Sequence, residues 1–220
     1  AQGDINIRGG SATFATDLRV GSVTETICLF TETGVVDAND VCIDVENGDL
    51  DIDNDITRIS GDIFLEASSD VFIGADINNN ASNNRDVGIE ATTGNIVQDN
   101  SAVTVTSDDD LALKAGGTIG VGGTGALRID VDNGLAAQSG GDLNLVSLGT
   151  GTVQVQNNVP LKTGNVDGIT SGGALDVVTA GELEVGATIT ATNDICLDVG
   201  GILDVNQNVT SITGNVALES

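Results

Sequence analysis

A stretch at 39–67 of this chain recurs near its C-terminus at 193–220. With a one-residue gap the two copies align to the end, and every aliphatic position of the first copy is aliphatic in the second, whereas the intervening residues drift. The matched positions are Val41, Ile43, Val45, Leu50, Ile52, Ile56, Ile59, Ile63 and Leu65 in the first copy, and Ile195, Leu197, Val199, Leu203, Val205, Val209, Ile212, Val216 and Leu218 in the second. Internal repetition of this kind is typical of repeat architectures, in which each unit packs on its neighbours.

One short pattern fills most of the chain: a Gly, Asn, Asp or Ser, then an aliphatic residue, any residue, and another aliphatic residue. Examples are GDLDI at 48–52, GDIFL at 61–65, GDLNL at 141–145 and GILDV at 201–205. Period-two alternation bounded by turn residues is typical of short β-strands. Apolar residues do not recur at helical spacing over a helical length, so we expect no significant α-helix.

The spacing of these strands predicts how they are arranged. Every third strand restates the first, so that three short strands make one coil of about 20 to 24 residues. The recurring pairs are Val41 with Ile63, Leu50 with Val71, Val87 with Leu111, Ile96 with Ile119, and Leu183 with Leu203. A β-sandwich is the alternative, because the chain contains a few hairpin-type Asn-Gly and Asp-Gly pairs, but the third-strand recurrence outweighs them.

The predicted fold is therefore all-β: a single-stranded parallel β-helix (β-solenoid) that is continuous over 1–220. Roughly ten coils at about 4.8 Å each give a rod on the order of 50 Å long. Two stretches depart from the rhythm and are expected to form loop excursions: the polar 78–84, and 157–170, which contains the only proline, Pro160.

The formal net charge of −26 excludes some partners and favours others. An acidic surface repels nucleic acid and anionic membranes but attracts cations and basic surfaces. No apolar run is long enough to cross a bilayer, so membrane insertion is not expected. The chain begins without Met and without a charged-then-apolar leader, and we interpret it as secreted material from which a signal peptide has already been removed.

Catalysis has little support in this composition. The chain contains no His and no Tyr, and only seven basic residues, which are scattered singly. The common acid–base groups are thus reduced to carboxylates and lysine, and there is no aromatic platform for sugar rings. We do not expect an enzyme, and a polysaccharide-active β-helix enzyme is the least favoured of three functional hypotheses.

Clustered carboxylates are the candidates for metal binding. Alternation places Asp49, Asp51 and Asp53 on one outward face, because Leu50 and Ile52 between them point inward. Oxygen-rich clusters suit Ca²⁺, although scattered solvated carboxylates are the simpler interpretation and no other cofactor is expected. The weak Ca²⁺ candidates are Asp49, Asp51, Asp53, Asp108, Asp109, Asp110, Asp130 and Asp132.

Cys28, Cys42 and Cys196 are odd in number and lack CxxC spacing, which argues against a zinc site. Each lies between two inward-facing aliphatic residues and is therefore expected to point outward. Two interpretations stay open: these positions are covered by a loop or a neighbouring chain, or they form a disulfide, between Cys28 and Cys42 or between subunits.

The ends of the chain suggest self-association. After its first copy the repeat continues as Asp-Val-Phe-Ile at 70–73, whereas after its second copy the chain stops; its own N-terminus reads Asp-Ile-Asn-Ile at 4–7. Head-to-tail stacking would therefore give an uninterrupted solenoid, and such open contacts generate filaments. The predicted subunit-end contacts are Asp4, Ile5, Ile7, Val216 and Leu218. A long tandem polypeptide, of which this chain is one period, explains the same pattern.

The phrases GDLNLVS, GDIFLEASSDVFIGA and DDLALKAGG resemble the repeats of filamentous-haemagglutinin-type exoproteins, the two-partner-secretion and large-adhesin group. This resemblance implies a right-handed parallel β-helix at a bacterial surface and supplies no site residues. Together these observations favour an extracellular structural protein that polymerises with itself in a filament, fibre or surface layer. Contact with other cell-surface components is a further possibility, and an adhesin shaft is the alternative.

Overall fold

The fold of the protein is given by a computed structural model. It describes residues 41–58, 61–79, 85–121 and 125–220, and before residue 41 the backbone of four strands. The described residues contain no helix, and so none that could cross a membrane. The chain is an all-β parallel solenoid with roughly three strands per coil, as the sequence predicted.

The first fifteen strands are β1 Ile5–Gly9, β2 Leu18–Val20, β3 Ile27–Thr31, β4 Val35–Asp37, β5 Val41–Val45, β6 Leu50–Ile52, β7 Ile56–Arg58, β8 Ile63–Ala67, β9 Val71–Ile73, β10 Ile77–Asn79, β11 Val87–Ala91, β12 Ile96–Gln98, β13 Val105–Ser107, β14 Leu111–Ala115 and β15 Leu127–Val131. The remaining strands are β16 Gly134–Ser139, β17 Leu143–Ser147, β18 Thr152–Val155, β19 Val159–Leu161, β20 Gly164–Val166, β21 Ile169–Ser171, β22 Leu175–Thr179, β23 Glu182–Val185, β24 Ile189–Ala191, β25 Ile195–Val199, β26 Leu203–Val205, β27 Val209–Ser211 and β28 Val216–Glu219.

Strands of successive coils stack in parallel, and their register is the one that the sequence predicted. Val41 pairs with Ile63, Leu50 with Val71, Val87 with Leu111, Ile96 with Ile119, and Leu183 with Leu203. The described part of the chain forms about seven turns. The predicted number of roughly ten coils covers all 220 residues, including the first 40, of which the structure describes only the backbone of four strands, and it makes no allowance for residues that leave the coil in a hairpin.

Inward side chains form continuous aliphatic ladders. In β5 and β8 the pattern alternates strictly, with Val41, Ile43 and Ile63 buried and the residues between them half-buried. One hydrophobic cluster runs from Val41 to Val199 along the axis. Each coil therefore buries its aliphatic side chains against the coil above and the coil below, as expected for a repeat protein.

Inward polar side chains close the corners. Ser171 Oγ donates to the carbonyl oxygens of Gly141 and Ala174, each at 2.9 Å, and Gln98 Nε2 donates to Asn100 O at 2.7 Å. Each of these three carbonyl oxygens also accepts a backbone N–H, so the side chains occupy its second acceptor position and add a further hydrogen bond at the corner.

The columns of strands do not run straight through the molecule. β5, β8, β11, β14 and β16 form one column, but β16 then divides: Gly134 and Leu135 pair with β18, whereas Ala137, Gln138 and Ser139 pair with β21. Conversely, β17 rests on β15 and also on Ile119 of the preceding coil. The two copies of the sequence repeat therefore lie on different columns, although their strand patterns match.

A hairpin leaves the coil at this rearrangement. β19 and β20 are antiparallel, unlike the strands of the coils, and they lie within 157–170 between β18 and β21. The hairpin packs across the outer faces of β11, β14 and β16. Val159, Leu161 and Val166 form a second, small core there with Ala112 and Ala136.

Of the predicted excursion at 78–84, Asn78 and Asn79 belong to β10, and Asn79 is buried with its side-chain amide donating to Gly61 O at 3.2 Å. The remainder of that stretch lies outside the described residues.

Candidate assembly surface and surface ladders

The last coil, formed by β26, β27 and β28, ends the stacked columns. Val205, Val216 and Leu218 are 43%, 42% and 44% exposed. Their partners one coil earlier, Val185, Ile195 and Leu197, are at most 1% exposed. The aliphatic side chains of the last coil thus continue the inner ladders, but the face that points away from the preceding coil is exposed. This terminal coil is an open surface on which a further coil would bury aliphatic area.

At the N-terminal end of the solenoid the structure describes the backbone of strands β1 to β4. β1 pairs on one side with β3, and it lies in the same column as β6, β9 and β12. The sequence match between residues 4–7 and 70–73 therefore concerns two strands of one column. Side chains of residues 1–40, including those of Asp4, Ile5 and Ile7, lie outside the described part of the chain.

Aspartates at the corners of the coils form hydrogen-bonded ladders. Each accepts a hydrogen bond from the backbone N–H of the equivalent residue in the next coil. Asp49 Oδ1 accepts from Asp70 N at 3.0 Å, and Asp70 Oδ1 accepts from Asn95 N at 2.6 Å. The Asn95 Oδ1 atom continues this ladder by accepting from Thr118 N at 2.8 Å.

A second corner repeats the arrangement. Asp86 N donates to Asp62 Oδ1 at 3.1 Å, Asp110 N to Asp86 Oδ1 at 3.3 Å, and Gly134 N to Asp110 Oδ1 at 2.9 Å. The Asp or Asn that precedes so many strands is therefore a link between coils. The sequence-based interpretation of these residues as solvated carboxylates did not predict this role. Their recurrence at the same position before the strand in successive coils is the signal that could have revealed it.

Stacking carboxylates of like charge has an electrostatic cost. Partial burial and the neighbouring charge of Asp62 raise the pKa of Asp86 to about 6, despite the hydrogen bond from Asp110, which acts in the opposite direction. Burial and Asp109 raise the pKa of Asp110. Burial, with Asp53 and Asp99 nearby, raises the pKa of Asp51.

The predicted Ca²⁺ ligands are distributed over several coils and columns. Asp49 and Asp110 are engaged in the corner ladders, whereas Asp53 and Asp132 are exposed. Asp109 Oδ1 accepts from Asn133 Nδ2 at 2.7 Å. Asp51, Asp108 and Asp130 are half-buried. In the part of the chain that is described, no group of three or more carboxylate or thiol side chains is arranged to hold a metal ion. Weak Ca²⁺ bridging stays a prediction.

The cysteines lie on different sheets. Cys42 is half-buried in β5, and Cys196 is a half-buried free thiol in β25. Burial, reinforced by Asp176 and Glu219, raises the pKa of the Cys196 thiol, which disfavours the reactive thiolate. Cys28 occupies β3, in a third sheet, and its side chain lies outside the described residues.

One site was not predicted at all: the outer face of the column that contains β5 and β8. There Asp44, Glu66, Glu90 and Lys114 stand in register in successive coils, and we call them the acidic ladder. Lys114 Nζ lies 2.7 Å from Glu90 Oε1. The tip of the hairpin adds Lys162, whose Nζ donates to Asp44 Oδ2 and, at 3.1 Å, to Glu66 Oε2.

Both lysines of the chain therefore meet on this ladder. Burial acts against the Lys162 ammonium, but hydrogen bonds to Asp44 and Glu66 outweigh it and raise the pKa of Lys162. The neighbouring hairpin residue, Thr163, donates its hydroxyl to Glu90 Oε2. Glu90 is thus a 4% exposed carboxylate that is paired on two sides. Nothing in the local sequence identifies this site, because its members are up to 118 residues apart.

These features define the chain as a β-solenoid repeat protein. It matches no protein-family model, no curated protein and no solved structure. The parallel β-helix that the sequence resemblance implied is present, whereas a filamentous-haemagglutinin identity has no support from these comparisons.

Proposed function

We propose that this solenoid is an extracellular structural rod that extends by stacking coil on coil, copy after copy, into a filament, fibre or surface layer. The observation that supports the proposal most strongly is the open terminal coil. Val205, Val216 and Leu218 are more than 40% exposed where their equivalents one coil earlier are buried. Three strands there also present unpaired backbone edges in the described chain, and such edges are templates for strand addition.

The first strand of a second copy fits this surface. After β28 the next coil would begin over β26, and the sequence of β1 continues the pattern that the first repeat copy shows after β8. Continuing the register of β23 on β26, Ile5 would lie on Leu203 and Ile7 on Val205. The outward residues Asn6 and Asp204 would then face solvent side by side.

Sedimentation of the 220-residue chain tests this association. The wild type should form oligomers whose size grows with protein concentration. Leu218→Asp should remain monomeric because it places a charge in the stacked core, where an unpaired charge is strongly unfavourable. Ile212→Asp is the matched control: Ile212 is 66% exposed in a turn, outside the inner ladders, and its replacement should leave association unchanged.

Cross-linking then tests the register. In a background with the native cysteines replaced by serine, the double variant Asn6→Cys with Asp204→Cys should give a ladder of disulfide-linked multimers on oxidation. Either single variant should give at most dimers. Electron microscopy should show rods with an axial repeat on the order of 40 to 50 Å.

Monodisperse monomers at all concentrations, for both wild type and Leu218→Asp, would contradict self-assembly. The open coil would then be covered by further coils of the same polypeptide, and the rod would be a shaft segment of a surface adhesin or exoprotein.

A further inference from the structure

The hairpin β19–β20 packs on the outer face of β11, β14 and β16, and we call this contact surface its seat. Beneath it lies a second outer row of one residue per coil: Phe64, Gly88, Ala112 and Ala136, which are in register. The side chains are small where the hairpin packs, and Phe64 marks the end of the seat. A Cβ on Gly88 would lie 2.8 Å from Phe64 Cδ1 and 3.1 Å from Leu161 Cδ2. The absence of a side chain at Gly88 therefore makes room both for the Phe64 ring and for Leu161 of the hairpin.

The hairpin spans several coils. Its base contacts β16 and β14, and its tip reaches β8 and, four coil steps from β16, β5. At about 4.8 Å per step this is roughly 19 Å along the axis. The side chain of Lys162 at the tip is 30% exposed, and the side chains of its two carboxylate partners, Asp44 and Glu66, are 28% and 18% exposed. The contact is thus partly shielded from solvent.

In a solenoid each coil normally touches only the next, so stability is a sum of nearest-neighbour terms and coils open locally. The contacts of Lys162 violate that rule, because they join residues separated by 118 and 96 positions in sequence. Opening of either of the two successive coils that contain Asp44 and Glu66 requires these contacts to break as well.

We propose that the hairpin is a clasp that couples the coils at 41–67 to the coil rearrangement near residues 134–171, so that these distant parts of the rod open together. Two separate contacts keep the clasp in place: the ionic contact of Lys162 at the tip, and the apolar packing in the seat at Gly88. It is independent of how, or whether, copies of the chain stack.

Hydrogen exchange followed by mass spectrometry on the 220-residue chain tests the clasp. Lys162→Met removes the charge at the tip while keeping an apolar stem. Gly88→Val fills the seat and displaces Leu161, without altering any charge and with a residue that suits a strand. Because its Cβ also meets the Phe64 ring of β8, exchange in β5 is the informative readout for this variant. Asn165→Ala is the matched control, because Asn165 is an exposed residue of the same hairpin.

Both variants should speed exchange in the hairpin and also in β5 and β8, by about tenfold, while β22 and β25 keep wild-type protection. A tenfold change corresponds to about 1.4 kcal/mol. Asn165→Ala should alter neither region. Faster exchange confined to the hairpin would overturn the proposal, as would unchanged exchange of the hairpin itself. If Gly88→Val also exposes β22 and β25, the variant has unfolded generally, and Lys162→Met alone decides the outcome.

Discussion

Removing the charge of Asp86 should stabilise the protein at neutral pH. Asp86 stands between Asp62 and Asp110 in a corner ladder, and its pKa is raised from 3.8 to about 6. A group whose folded pKa is raised in this way favours folding when it is protonated. The ionised form therefore costs stability above about pH 6, and the cost disappears as the pH falls below 3.8, the value of the unfolded chain.

The magnitude follows from the same pKa. Raising it from 3.8 to about 6 sets an upper bound of about 3 kcal/mol on the cost of ionisation. Because Asp86 is only half-buried, solvent screening reduces this to about 1 to 2 kcal/mol. Asp86→Asn keeps an Oδ1 acceptor for the N–H of Asp110, 3.3 Å away, and so removes the charge but not the link between coils.

Urea unfolding followed by far-ultraviolet circular dichroism measures the effect, since the chain has no Trp and no Tyr for fluorescence. At pH 7 the Asp86→Asn variant should be more stable than wild type by about 1 to 2 kcal/mol. Most of that difference should vanish at pH 4. Wild type should itself gain stability between pH 7 and pH 5, and the variant should gain less.

Glu46→Gln is the control, because it removes one negative charge from an exposed turn. It should change stability by no more than about 0.5 kcal/mol at either pH. If Asp86→Asn destabilised the chain at pH 7, or stabilised it equally at pH 4, the electrostatic account of the ladder would be wrong.

Two further predictions concern packing and buried polar groups. Gly172→Ala should cost about 2 to 4 kcal/mol in the same urea assay, because its Cβ would lie 2.1 Å from the carbonyl oxygen of Gly140 in the neighbouring coil. Gly151→Ala is the control and should be nearly neutral, because nothing lies within 4 Å of the added Cβ. Equal costs for the two variants would refute the close-approach argument. Ser147→Ala should be neutral or stabilising, because the buried Oγ of Ser147 has no hydrogen-bond partner. Ser171→Ala should cost about 1 kcal/mol of stability, because the Oγ of Ser171 bonds to Gly141 O and Ala174 O. An equal loss of stability in the two variants would contradict this difference.

Local pattern was enough to determine the coil. The alternation around Val41 and Ile63 assigns each side chain to the inside or the outside, and the recurrence of every third strand sets the register of the stack. Both are properties of nearest neighbours along the chain or one coil away, so they are legible in sequence. The second repeat copy likewise predicts the inward positions of β25 to β28, although Ile212, which the alignment also matches, lies outside the inner ladders.

Only the tertiary structure decided how the columns rearrange at β16 and where the hairpin lies. Pro160 and the broken rhythm marked an excursion at 157–170, but its seat depends on Gly88 being small and on Lys162 reaching Asp44. These are matches of size and charge between residues about 70 to 120 positions apart. Complementarity of that kind has no local period, so it emerges only when the coils are stacked and their outer faces come together.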